Sequence, residues 1–332
     1  MNKFLILLSS LFALTFFGCN NDEEDLDLID TLENEKIAIH EYLSQITTPI
    51  LYLEYYSVKG MLIDTVFIFN YDNSGEVAKD TGWVLMDYEK FYLNGDKLDT
   101  TSPEQGDSTF TYAFGGPVLY RYDTIKKYDY VAEAFRHISV GSMGGEMIVP
   151  SILAGDKNNY EKPLHYKLKA HKLINDVKVN EYKLIRSYLV DVIGVESAFV
   201  DFPTREISSI GDQDIQVGDS VLLEMDYGLL DDVGLQNRVL RSMGRDSIYF
   251  LFNETWQKNY PTGLVKGLQH LQAGDSAHII VPYGMAYGAV GTTREITFRD
   301  RTKLKQYLIP PYSTLWYWVR IRKVVPPKTE EE

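Results

Sequence analysis

The chain is short of four things, and each shortage closes off a class of function. It has one cysteine, Cys19, in 332 residues. A lone thiol supports neither an intrachain disulfide framework nor a multi-cysteine metal site. Basic residues are few: 33 Lys and Arg stand against 47 Asp and Glu, for a net charge of −14. Nucleic-acid binding needs clustered Lys and Arg against phosphates, so no nucleic-acid partner is expected. The six histidines are scattered. His165 and His171 share one face of a predicted strand, yet no Cys or carboxylate stands at metal-ligand spacing, so no metal and no cofactor are expected. Beyond Phe17 no apolar run is long enough to cross a membrane. The glycine-rich stretch Gly141-Ser142-Met143-Gly144-Gly145 is neither a phosphate loop nor a nucleophile elbow; it reads as a turn.

What is present starts at the N-terminus. Lys3, an apolar run from Phe4 to Phe17, and Gly18 before Cys19 make a secretory signal. A cysteine directly after the small residue resembles the lipobox of bacterial lipoproteins, with Phe16 where Leu is usual. The resemblance implies that Cys19 becomes an acylated N-terminus. The following Asn20-Asn21-Asp22-Glu23-Glu24-Asp25 reads as an acidic tether. It also resembles the export signal after the lipid-bearing cysteine in surface lipoproteins of the Bacteroidetes. The implied location is the outer membrane, lipid-anchored, on its periplasmic or cell-surface side.

The length and an apolar content of 45% suit about two domains, each large enough to bury a core. Apolar positions from Leu26 to Gln45 recur at helical spacing until Thr47-Thr48-Pro49 stops them. Strand-like runs follow at Ile50–Tyr56 and Ile63–Tyr71. A second helical pattern, Val179–Val192, carries Tyr182, Ile185, Tyr188 and Leu189 on one face and ends at Gly194. The halves then repeat each other. Ile148-Val149-Pro150 corresponds to Ile280-Val281-Pro282, and LHYKLKAHKL from Leu164 corresponds to LWYWVRIRKV from Leu315. The expected layout is a signal peptide at 1–18, a tether at 19–27, an N-terminal domain at 28–174, a C-terminal domain at 175–326 and a tail at 327–332. Trp316 and Trp318 alternate with Leu315, Tyr317 and Val319, which turns them away from the core side.

The densest signal lies in the last third. A helix opens after Pro261 and ends at Gly274, and a strand runs to Pro282. The turn Ala286-Tyr287-Gly288 follows, then Ile309-Pro310-Pro311 and a closing strand. This order resembles the FKBP-type peptidyl-prolyl cis-trans isomerases. The resemblance implies an α+β fold of two FKBP-like domains, each a bent antiparallel sheet wrapping a short helix and preceded by a leading helix. It implies a dry hole for a proline ring, with catalytic Tyr287, Ile309 and Tyr317. Leu240, Ile248, Phe250, Leu264 and Leu308 are the matching substrate-binding positions. Two positions depart from the family pattern: Arg241 stands where the pocket aspartate is usual, and the first-strand tyrosine aligns with Asp226, or with Tyr227 after a one-residue deletion. The N-terminal half matches at Tyr88, Asp99, Phe110, Tyr112 and Tyr166, but has Val131 at the floor and Ala154 where the turn tyrosine would be.

The implied activity is prolyl isomerisation of proline-containing polypeptides in the envelope. The competing reading is a non-catalytic docking subunit of an outer-membrane protein complex. The stretch 291–308 carries Arg294, Arg299, Arg301, Lys303 and Lys305; it reads either as a solvated insertion or as a basic contact for an acidic partner.

Overall fold

The computed structural model describes residues 22–79, 81–102, 110–112, 115–122, 129–155, 162–194, 204–208, 214–231, 243–269, 271–299, 301 and 303–327. The apolar run at 4–17, Cys19, Leu240 and Arg241 lie outside them. Along the chain come α1 (Asp22–Ser44), β1 (Leu51–Tyr56), β2 (Leu62–Phe69), β3 (Gly82–Tyr92), β4 (Lys97–Thr100) and β5 (Val118–Tyr122). Then follow α2 (Tyr130–Ala134), β6 (Gly145–Val149), α3 (Ser151–Ala154), β7 (Leu164–Ile174), α4 (Val177–Ser187) and β8 (Thr204–Ser208). The last part holds β9 (Ser220–Leu229), β10 (Gly244–Leu251), α5 (Glu254–Asn259), α6 (Thr262–Leu268), β11 (Ser276–Val281), β12 (Thr292–Thr297), β13 (Lys303–Ile309) and β14 (Leu315–Val325). The architecture is α+β with antiparallel pairing, as the resemblance implied.

The chain forms two compact units that are not its two sequence halves. The smaller holds 1–70, 91–96 and 146–166; the larger holds 71–90, 97–145 and 167–332. The point between residues 174 and 175 lies inside the larger unit.

In the smaller unit β1 pairs with β2, and β2 with β6. Phe67 and Phe69 alternate onto one face of β2 and meet Ile39 and Leu43 of α1 together with Ile148. Helix α1 begins at Asp22, so residues 22–27 belong to its first turns rather than to a free tether. Glu35, buried on α1, accepts from the Ser151 backbone N–H at 2.7 Å and from the Ser151 hydroxyl. His165 pairs with Glu146 at 2.7 Å, so its carboxylate comes from a neighbouring strand rather than from nearby sequence.

In the larger unit five strands form a sheet in the order β10-β9-β14-β11-β8. Its inner face carries Val221, Leu223, Met225, Ala277, Ile279, Val281, Leu315, Tyr317, Val319 and Ile321. Helix α6 lies against it and is shorter than the sequence suggested, ending at Leu268. Gly263 and Gly267 let it approach closely, since a Cβ there would fall 2.5 Å from Val281 Cγ1 and 2.8 Å from Ile279 Cδ1. The opposite face carries Trp316 and Ile280, which pack with Leu184, Ile185 and Tyr188 of α4 and the π-helical turn Tyr188–Ile193 after it. The tryptophans that the strand pattern turned outward are thus covered by the leading helix. The π-helical turn ends at Gly194 in the left-handed conformation, φ 74. Elsewhere in this unit β3 pairs with β5, as β9 pairs with β10. His171 pairs with Asp87 at 2.7 Å.

The stretch 291–308 is mainly a second, two-stranded sheet, β12 with β13, in the register Thr292↔Ile309 to Thr297↔Lys303. Lys303 pairs with Glu295 at 2.7 Å and Arg294 Nε donates to Gln306 Oε1 at 2.5 Å.

Candidate functional site

A cavity of about 560 Å³ opens in the larger unit, lined by Met225, Tyr227, Met243, Asp246, Tyr260, Tyr287, Thr292, Leu308, Ile309 and Tyr317. Each wall has a local cause. Tyr317 and Tyr227 are register partners on β14 and β9, and their rings stack at 5.9 Å with a 27° tilt. Tyr227 lies over its β10 partner Gly244, where a Cβ would fall 2.7 Å from the tyrosine oxygen. Of the two alignments open for the first-strand tyrosine, Tyr227 is therefore the cavity residue. Asp226 instead pairs with Arg245 at 3.1 Å.

Tyr287 follows a short 3-10 turn, Tyr283–Met285. That turn is held from α4: Glu181 Oε1 accepts from the Tyr283 N–H at 2.6 Å and from Thr314 Oγ1 at 2.7 Å. Tyr287 O accepts from Gly291 N–H at 3.1 Å. Gly291 has φ 69, and a Cβ there would fall 2.4 Å from Ile309 O, so only glycine lets the turn sit against the lip.

Burial, reinforced by Tyr227 and Tyr260, pushes the Tyr287 hydroxyl above its ordinary value; burial does the same, more strongly, to Tyr317. Both are therefore neutral hydroxyl donors at physiological pH. Burial and the charge of Asp246 raise Tyr227 as well.

Among the second-half residues singled out by sequence, Tyr287, Ile309, Tyr317 and Leu308 come together at this cavity. Leu264 is fully buried in the core, while Ile248 and Phe250 pack against that core and do not line the cavity. Phe250 stacks on Trp256 at 4.0 Å and Trp256 on Tyr260 at 4.5 Å. This stack carries the aromatic wall from β10 through α5 to the cavity, a route that the alignment missed. Its sequence signal is Trp256 and Tyr260 at i, i+4 after an alternating aromatic strand. Asp246, Met243 and Thr292 were also missed. Asp246 supplies a carboxylate at the cavity from β10.

The first-half residues form a different arrangement. Tyr88 Oη donates to Asp99 Oδ2 at 2.6 Å, and Asp99 Oδ1 accepts from Thr111 N–H at 2.9 Å. Tyr112 meets Tyr88 edge-on at 6.1 Å and stacks flat on Tyr307 at 5.4 Å and 10°. Burial pushes the Tyr112 hydroxyl up to about 12. Phe110, partly buried, offers its carbonyl to Gln306 Nε2 at 2.8 Å. No group of three or more potential metal ligands occurs among the described residues.

Comparison with known proteins bears on the same segment. The search of curated proteins returns no match. Among solved structures, a peptidyl-prolyl cis-trans isomerase from Pseudomonas syringae pv. tomato aligns at 16% identity and TM-score 0.31, over 45% of this chain and 96% of its own. The three FKBP domains of wheat FKBP73 align at 15% and TM-score 0.28, over 79% and 95%. FkpA from Escherichia coli aligns at 17% and TM-score 0.31, over 46% of this chain and 61% of its own. At TM-scores this low these structures carry no argument. Residues 214–322, the segment that builds the cavity, match the family of FKBP-type peptidyl-prolyl cis-trans isomerases.

Proposed function

We propose that the cavity at Tyr287 binds the prolyl bond of a polypeptide and catalyses its cis-trans isomerisation. The observation that carries this is the convergence of Tyr287, Ile309 and Tyr317 on one aromatic cavity inside the segment that matches the family. Rotation about the bond crosses a barrier of about 18–20 kcal/mol because the C–N bond is partly double. No nucleophile or proton transfer is required. A dry wall disfavours the planar, more polar amide, and a donor placed for the twisted carbonyl lowers the barrier. Ile309 and Leu308 supply the apolar lip, and the neutral Tyr287 hydroxyl supplies the donor.

A second reading is favoured by one observation: Arg241 stands where the family's pocket aspartate is usual. There the chain is a docking subunit that binds without catalysis. A protease-coupled assay with a short X-Pro peptide separates the two readings. The isomerase reading expects the full chain to accelerate conversion, and fails if the rate stays at the uncatalysed value. Peptide binding without acceleration supports the docking reading.

For location, we propose that Cys19 is lipid-modified and holds the protein at the outer membrane, where its clients are envelope or secreted polypeptides. The support is the Lys3, Phe4–Phe17, Gly18-Cys19 order. Among the described residues no helix is long and apolar enough to cross a membrane.

A further inference from the structure

We infer that the aromatic set of the first half receives the chain's own β12–β13 hairpin, and that this docking positions the lip of the cavity at Tyr287. The inference rests on the isomerase reading for its functional consequence, while the docking itself stands on contacts.

A two-stranded hairpin alone is marginally stable in water. This one is strongly polar, TTREIT against KLKQYLI, and joins the core through Ile309 at its end. Its most buried residue is Gln306, with 0% exposure. Burying an amide is costly unless its donors and acceptor find partners. Gln306 has them: Nε2 donates to Phe110 O and Oε1 accepts from Arg294. The next residue extends the contact, since Tyr307 N–H donates to Thr111 O at 2.7 Å and the segment bridges to Tyr112. The Tyr307 ring then lies flat on Tyr112, whose other neighbour is the hydrogen-bonded pair Tyr88–Asp99.

The positions that the family pattern assigns to a substrate are thus engaged by this chain. The consequence falls on the other site. Leu308 and Ile309, the lip, directly follow Tyr307, and Thr292 at the start of the hairpin also lines the cavity. Beyond the lip, Tyr312 adopts φ 59 and meets Trp83 of β3 edge-on at 4.7 Å. The lip is held on both flanks by aromatic residues of the first half. Tyr112 and Trp83, which are not among the residues that line the cavity, are therefore positioning residues for the proline-binding wall.

The test uses the full chain with Tyr112→Ala, Tyr307→Ala, the double variant and Tyr307→Phe. Losing an aromatic stack that fixes the lip raises KM for an X-Pro peptide by about two- to ten-fold, with kcat within about two-fold because Tyr287 is untouched. Tyr307→Phe keeps the stack and retains wild-type KM. The double variant is no worse than either single one, since both remove the same contact. Hydrogen exchange gives an independent readout: the Tyr307 and Ile309 amides exchange faster in Tyr112→Ala while β9 and β14 stay protected. Unchanged exchange at 307–309 overturns the docking. Accelerated exchange with unchanged KM overturns the positioning role. A wild type without isomerase activity sinks the proposed function instead, and the exchange result still decides the docking. If Tyr112→Ala loses the protection of β9 and β14 as well, Tyr112→Leu replaces it under the same criteria.

Discussion

Single residues set the cavity, and they differ in how visible they were beforehand. Tyr287, Leu308 and Ile309 belong to short local motifs that mark them in the sequence, and they meet at one cavity. Tyr260, Met243 and Asp246 do not: the register of β10 on β9 and the stack through Trp256 bring them in. Such placement is decided by pairing between strands, which a linear pattern does not encode. Gly291 has a sharper role than its place at the start of the insertion suggested. Its positive φ and its 2.4 Å Cβ approach to Ile309 O tie the tyrosine turn to the lip. Gly291→Ala should cost roughly 1–3 kcal/mol of stability and raise KM for prolyl peptides, read by thermal unfolding and steady-state kinetics. A variant as stable and as active as wild type would show that the turn and lip move independently.

At the scale of elements, the leading helices do more than cover a sheet face. Glu35 of α1 binds the N–H of Ser151, the residue after Pro150. Glu181 of α4 binds the N–H of Tyr283, the residue after Pro282. Each half uses a helix glutamate to anchor the turn that ends its Ile-Val-Pro strand. The helices and the repeat were legible from periodicity and motif order. The glutamates were not, because an acidic residue on an amphipathic helix reads as solvent-facing. The hairpin at 291–308 was opaque for a similar reason: its buried residue is a glutamine whose partner is Phe110, 196 residues away.

Burial raises Glu181 above its ordinary value of 4.5, against the hydrogen bonds from Thr314 and Tyr283. The folded state therefore holds a proton that the unfolded state has released. Stability falls as pH rises from about 4.5 through the raised value, and is flat beyond it. Glu181→Gln keeps an acceptor and should reduce that loss, measured by denaturant unfolding at pH 4.5 and pH 8. Glu181→Ala, which orphans two donors, should cost about 1–3 kcal/mol. An equal pH dependence in wild type and Glu181→Gln would contradict the assignment.

At the scale of the whole molecule, the repeat seen in sequence and the compact units seen in the fold divide the chain differently. Motif spacing reports the order of the elements, whereas the units report where the backbone lies close together. The larger unit takes most of β3 with β4 and β5 from the first half together with all of the second. The N-terminal anchor belongs to this scale too. If Cys19 carries lipid, Cys19→Ser should move the protein from the membrane fraction to the soluble fraction. Unchanged fractionation would rule that anchor out.

The central claim, that Tyr287 donates to the twisting prolyl bond, is tested most directly by the isomerisation rate of Tyr287→Phe in the full chain. The substitution removes one hydroxyl and leaves the ring that packs against the core. Losing a transition-state hydrogen bond worth about 1–3 kcal/mol lowers kcat/KM by roughly ten- to a hundred-fold, with an unfolding midpoint near that of wild type. A Tyr287→Phe protein that folds normally and isomerises as fast as wild type would contradict the account.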